Sequence, residues 1–99
     1  MRMDTLQLLA EPTRREILQL VWTEELTAGA IADRFDVTFG AVSQHLAKLR
    51  DAGLVVVRPE GTRRIYRANH ERLEPFRAVL EAMWISKLDQ LAAAVEAGE

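Results

Sequence analysis

Three observations predict a mainly α domain with a small β-hairpin wing, a winged helix-turn-helix of order α-α-α-α-β-β-α. Helix-period apolar stripes fill the first half of the chain, a strand–turn–strand run occupies 54–68, and a long helix-period stripe follows it. Two short helices around a tight connection, followed by a hairpin, form the helix-turn-helix unit with its wing.

At 99 residues the chain has the size of a single domain, read as 1–99. It is 48% hydrophobic and 28% charged, an ordinary globular balance that excludes wholesale disorder and fibrous repeats. The absence of cysteine excludes disulfides, thiolate zinc sites, iron–sulfur clusters and thiol catalysis. No apolar run approaches the ~20 residues of a membrane span, and Met1-Arg2-Met3-Asp4-Thr5 has no signal-peptide core. A soluble, cytoplasmic protein without membrane contact is expected. No serine–base set, phosphate-binding glycine loop or metal triad is visible, so an enzyme is not expected.

The elements follow in order. Leu6, Leu8 and Leu9 mark a short first helix, about 3–10. Pro12 suits the first position of a second helix, whose apolar positions are Ile17, Leu18, Leu20 and Val21. Thr27 caps a third helix running to Phe35, with Ile31, Ala32 and Phe35 inward. Asp36 is expected in the left-handed region, where glycine often ends a helix. Thr38 caps a fourth helix, about 39–52. There Val42, Leu46 and Leu49 recur at helical spacing, and Gly53 stands at the C′ position. Leu54–Arg58 and Arg63–Arg67 read as strands around the turn Pro59-Glu60-Gly61-Thr62, a wing of about 54–68. Asn69 is placed to cap the last helical region, whose main body spans about 75–97 with the stripe Phe76, Leu80, Trp84, Leu88, Leu91 and Val95.

The net charge of −2 argues against nucleic acid until it is divided. Residues 34–67 hold seven basic and three acidic side chains, a balance of +4; residues 1–33 and 68–99 each hold three basic and six acidic, −3 apiece. A basic middle between acidic ends suits a DNA-reading head.

With Val42, Leu46 and Leu49 inward, Phe39, Gly40, Ser43, Gln44, Ala47 and Lys48 face outward. Glutamine bonds bidentately to adenine in the major groove, serine donates or accepts, and an apolar side chain can touch a thymine methyl. Gly40 permits close approach. The same face would equally suit an ordinary solvated helix, and Phe39 could fold onto the core. His45 lies beside the buried stripe, where a structural role competes with phosphate or base contact. His70 reads as a capping or solvent-facing residue. Arg63 and Arg64, near the wing tip, suit phosphate or minor-groove contact; the alternative is charge that keeps a sheet edge soluble. Arg58, Arg67, Arg14 and Arg15 are weaker candidates. The DNA-binding set is therefore Thr38, Phe39, Gly40, Ser43, Gln44, His45 and Lys48 with Arg63 and Arg64. A small domain leaves the last helix little core to cover. Leu6 and Leu9 with Leu80, Trp84, Leu88, Leu91 and Val95 are therefore assigned to a twofold dimer seam.

Four segments, in order, resemble the ArsR-type (SmtB/ArsR) winged-helix repressors. Leu9-Ala10-Glu11-Pro12-Thr13-Arg14-Arg15-Glu16-Ile17-Leu18 is similar to their opening signature, and Phe39-Gly40-Ala41-Val42-Ser43-Gln44-His45-Leu46-Ala47-Lys48-Leu49 to their recognition helix. Asp51-Ala52-Gly53-Leu54-Val55 resembles the exit, and Glu60-Gly61-Thr62-Arg63-Arg64-Ile65-Tyr66 the wing. The resemblance covers about residues 6–68. It implies a homodimeric repressor joined through its first and last helices, with double-stranded DNA as partner and one recognition helix per major groove. Many members release DNA on binding a metal or metalloid. Here Glu25–Ala30 lacks the family's cysteine ligands, and the chain from Phe76 onward has no histidine. The resemblance therefore implies no metal site of the familiar kinds and no cofactor. The expected function is a dimeric, sequence-specific transcriptional regulator, a repressor on a palindromic operator, with no effector identified. The alternatives are a metal- or ligand-responsive sensor with a non-standard site, and a winged helix used only for protein–protein interaction.

Overall fold

The computed structural model describes residues 4–86. The first helix, α1 (Thr5–Leu9), opens with a reciprocal cap. Asp4 accepts the Gln7 N–H at 2.8 Å, and Gln7 Oε1 accepts the Asp4 N–H at 3.0 Å. Helix α2 (Pro12–Thr23) is capped by Glu11, which accepts the Arg14 N–H at 3.0 Å, and Pro12 stands at its start as the sequence predicts. Thr27 Oγ1 caps α3 (Ala28–Ala32) through the Ala30 N–H, and Thr38 Oγ1 caps α4 (Phe39–Asp51) through the Ala41 N–H, both at 3.1 Å. Each cap satisfies an N–H that the first helical turn leaves without an internal partner.

The link from α3 to α4 differs from expectation. Helix α3 ends at Ala32 rather than Phe35. Asp36 is not left-handed; among the described residues only Gly53 and Gly61 have positive φ. Tight i→i+3 bonds, Arg34 N–H to Ile31 O at 3.0 Å and Phe35 N–H to Ala32 O at 3.1 Å, wind the chain down instead. Phe35 packs half-buried against the core.

Helix α4 leaves through Gly53, at φ 78°. The Gly53 N–H bonds Arg50 O and the Leu54 N–H bonds Leu49 O, both at 2.9 Å. This pair is the Schellman arrangement, with Leu54 fully buried behind it. The hairpin then forms from β2 (Val55–Glu60) and β3 (Arg63–Ala68), in register from Val55 opposite Ala68 to Glu60 opposite Arg63. The loop is Gly61-Thr62, and only Gly61 is positive in φ, which gives the turn a II′ character. Pro59 lies within β2, an edge strand that tolerates a missing N–H. A third strand, β1 (Leu26–Thr27), pairs antiparallel with β3, so the sheet order is β1-β3-β2. Periodicity over two residues carries no signal in the sequence.

After the wing, Asn69 Oδ1 caps α5 (His70–Leu73) through the Arg72 N–H at 3.3 Å. A 3-10 turn over Glu74–Phe76 contains Pro75, and helix α6 follows over 77–86. One core joins Leu8 and Leu9 of α1, Ile17, Leu18 and Val21 of α2, Ile31 of α3, the Val42/Leu46/Leu49 stripe of α4, the sheet, and Leu73, Leu80 and Trp84.

That core takes in three of the residues assigned to the dimer seam. Leu9, Leu80 and Trp84 are 3%, 0% and 8% exposed within a single protomer. The last helix lies along α2: Trp84 Nε1 donates to Arg15 O at 3.1 Å, and the Trp84 ring meets Trp22 edge-on at 5.5 Å. The exposed apolar side chains are instead Leu6 on α1 and Val79, Met83 and Ile85 on α6. Leu88, Leu91 and Val95, the end of the expected 75–97 helix, and Met3 lie outside the described residues.

Gly53→Ala should lower unfolding free energy by about 1–2 kcal/mol, the strain of a side chain in the left-handed region. A Cβ there would meet only the Arg72 guanidinium, at 3.9 Å, so the cost is backbone conformation rather than collision. Urea unfolding of the two chains measures it, and Gly53→Asn should cost less.

Candidate nucleic-acid interface

Helix α4 is buried on one side only. Val42, Leu46 and Leu49 are sealed in the core, while Phe39, Gly40, Ser43, Gln44 and Lys48 are exposed and Ala47 is half-exposed. Phe39 does not fold back; it is 58% exposed at the helix start, beside the capping Thr38. A Cβ on Gly40 would touch only Thr38 Oγ1, at 3.9 Å, so the protomer has room for a side chain there. The face opens with Phe39 and Gly40 and continues through the polar Ser43, Gln44 and Lys48; recognition helices meet base edges by this N-terminal end.

The wing arginines divide into two groups. Arg58 is engaged: its Nη2 and Nε donate to Glu25 Oε2 at 2.6 and 3.2 Å, and its Nη1 donates to Glu60 at 2.9 Å. Arg58 lies opposite Ile65, which lies opposite Thr27, so its side chain crosses the sheet from β2 towards β1. The Arg58 hydrogen bond holds the Glu25 carboxyl below its usual range, against a smaller opposing effect of burial. Arg63 and Arg64 follow the turn on opposite faces of β3, both exposed. Neither has a hydrogen bond or ion pair among the described residues.

His45 is turned inward on the flank of α4. Arg14 Nη1 donates to its Nδ1 at 3.4 Å, and Glu11 Oε2 stands 4.0 Å from its Nε2. Arginine only donates, so Nδ1 is the acceptor and the neutral ring carries its proton on Nε2. Burial is the largest influence on His45 and pushes its pKa down; Arg14 and Lys48 add to this, and Glu11 opposes it. Arg14 and Arg15 also reach the end of α1: Arg14 Nε donates to Leu8 O at 2.7 Å and Arg15 Nη1 to Leu9 O at 2.8 Å. These carbonyls close α1 and have no helical partner. His70 stacks on Trp22 with ring centroids 4.2 Å apart and donates Nε2–H to Trp22 O at 2.7 Å. It therefore pins α5 to the end of α2, a role beyond capping or exposure.

Sequence reasoning missed Glu25 as the Arg58 partner and Arg14 as a buried residue. The Glu25–Arg58 pair joins positions 33 apart through a strand too short to detect. For Arg14 a weak signal existed: it lies three residues before Ile17, on the helix face that faces the core.

A helix-turn-helix with an exposed polar second helix and an arginine-bearing hairpin defines a winged helix-turn-helix DNA-binding domain. Residues 9–58 match the family described as a helix-turn-helix domain. The HTH-type transcriptional regulator Rv2034 of Mycobacterium tuberculosis is 38% identical over 90 residues, 91% of this chain and 84% of that protein. The crystal structure of a possible transcriptional regulator for arsenical resistance superposes with a TM-score of 0.71 at 42% identity, covering 92% of this chain and 95% of that one. The homodimeric winged helix-turn-helix DNA-binding domain of Mb0332 from Mycobacterium bovis, a possible ArsR-family transcriptional regulator, gives 0.67 at 33% identity, covering 77% and 70%. The chain belongs to the ArsR-type winged helix-turn-helix transcriptional regulators.

The state of His45 predicts a pH dependence. Above about pH 6.5 the ring is neutral folded and unfolded, and stability is at its plateau. Below that value the unfolded chain takes up the proton first, because the folded pKa is lower, so stability falls as pH drops between the two pKa values. Thermal melts from pH 7.5 to 5 should show the decline, and His45→Asn should flatten it. NMR titration of the His45 ring should place its midpoint below 6.5.

Proposed function

We propose that the protein is a homodimeric, sequence-specific transcriptional repressor, not an enzyme, acting in the cytoplasm on a palindromic operator. The observation that carries this reading is the one-sided burial of α4, which leaves Phe39, Gly40, Ser43, Gln44 and Lys48 free for a groove. Ser43 and Gln44 supply hydrogen-bonding groups for base edges, and Phe39 an apolar contact for a thymine methyl. Lys48, Arg63 and Arg64 supply phosphate charge. Repression follows from occupancy, since a protein seated in a promoter groove excludes the transcription machinery.

A dimer supplies two recognition helices, and a palindrome matches its twofold axis. The exposed apolar Leu6, Val79 and Met83 are the proposed contacts. Val79 and Met83 also line an open groove of about 590 Å³ with Pro12, Arg15, Ala82 and Trp84. Leu80 and Trp84 support this face from beneath. Among the described residues no helix is long and apolar enough to cross a membrane.

Selection of duplexes from a random pool should enrich a palindrome bound with steep salt dependence; failure to enrich any overturns the reading. Gln44→Ala should then cost roughly 1–3 kcal/mol at particular base pairs, whereas Arg63→Ala should weaken every sequence alike. Gly40→Ala should raise thermal stability by about 0.5–1 kcal/mol while weakening the selected duplex, since the added methyl costs the fold nothing but blocks the groove. Val79→Glu with Met83→Glu should halve the sedimenting mass without unfolding the chain. An unchanged mass would place the interface elsewhere.

A further inference from the structure

We infer that Arg14 is a positioning residue for DNA recognition, locking helix α4 to the end of α1 through His45; this rests on the DNA-binding reading above. Arg14 is the one charged side chain buried among the described residues, at 5% exposure. Burying a guanidinium is costly unless its donors are satisfied. An apolar side chain of similar length would fill the space without that cost, so packing alone does not call for arginine. What arginine adds is direction: its donors are held in a rigid planar fork. Here one arm of the fork meets Leu8 O, the open carbonyl at the end of α1, and the other meets Nδ1 of His45 on α4. The arginine's own N–H is held by Glu11, whose carboxylate also stands 4.0 Å from the far side of the same imidazole.

His45 follows directly on Ser43 and Gln44 and lies one turn before Lys48. Fixing its ring therefore fixes the rotation of α4 about its axis, and with it the direction of the groove-facing side chains. Hydrophobic packing of Val42, Leu46 and Leu49 holds the helix in place but resists small rotations weakly, because dispersion contacts are non-directional. The lock also joins α4 to α1, the helix that carries the exposed Leu6. Arg14 thus adds a hydrogen-bonded link between α1 and α4 to the core packing they share.

Four variants test this: Arg14→Lys, Arg14→Met, His45→Ala and His45→Asn. In the DNA-free protein, hydrogen exchange over 39–46 should quicken about threefold or more in Arg14→Lys and His45→Ala, with β3 unchanged. Unchanged exchange in His45→Ala, whose partly exposed ring is removable without opening the core, overturns the lock. With the duplex selected by the wild-type chain and a scrambled duplex of equal length, Arg14→Lys, Arg14→Met and His45→Ala should lower the ratio of the two affinities by about tenfold. His45→Asn, whose amide oxygen replaces Nδ1 as acceptor, should restore the ratio to within about threefold of wild type. A ratio held within about twofold in Arg14→Met and His45→Ala, or equal loss on both duplexes in step with the folded fraction, overturns the positioning role. If the wild-type chain selects no duplex, the functional reading fails, while hydrogen exchange still decides the lock.

Discussion

The relation between the reading helix and the wing depends on one small knot of hydrogen bonds at Asn69. Its backbone N–H bonds Leu54 O and its Nδ2 bonds Gly53 O, both at 2.9 Å, while its Oδ1 caps α5. Gly53 and Leu54 end α4 and lead into β2; Asn69 follows the end of β3. A single residue therefore closes the base of the hairpin, ties it to the exit of α4 and starts the helices that follow. Each of the three bonds satisfies a backbone group that neither helix nor strand can serve, which is why the chain can reverse twice in so little space. The knot adds to the core packing of Val55, Tyr66 and Ala68 and to the β1–β3 pairing, which hold the rest of the wing.

Charge is distributed with similar economy. The middle of the chain is basic, yet not all of that charge is available. Arg58 is held by Glu25 and Glu60, and Arg50 stands 3.5 Å from Asp51. Arg34, Lys48, Arg63, Arg64 and Arg67 remain exposed, so fewer cations than the formal seven between 34 and 67 are open to a phosphate backbone. The segments outside 34–67 sum to −3 each, a balance that limits general attraction to DNA.

Several features were legible because local chemistry dictates them. Thr27, Thr38 and Asn69 cap helices wherever they stand, since the cap bond spans only three residues. Gly53 at the C′ position and Gly61 in the hairpin turn follow from the left-handed backbone each site requires. The α4 stripe and its exposed face follow from helical spacing. Asp36 misled for the converse reason: tolerance of a conformation is not a demand for it, and the chain had a right-handed path available.

The sequence by itself determined the element order, the caps, the turn at the wing tip, and the side of α4 that meets solvent. All of these are set by bonds between near neighbours or by a repeat that a single element displays. Only the tertiary structure decided which apolar residues serve the protomer and which remain outside. Leu9, Leu80 and Trp84 went to the core and Leu6, Val79 and Met83 to the surface, because an apolar stripe records that burial occurs, not which surface covers it. The same holds for the arginines: Arg14, Arg58 and Arg63 are alike as letters, and only the groups brought beside them distinguish a buried brace, a paired strand residue and a free cation.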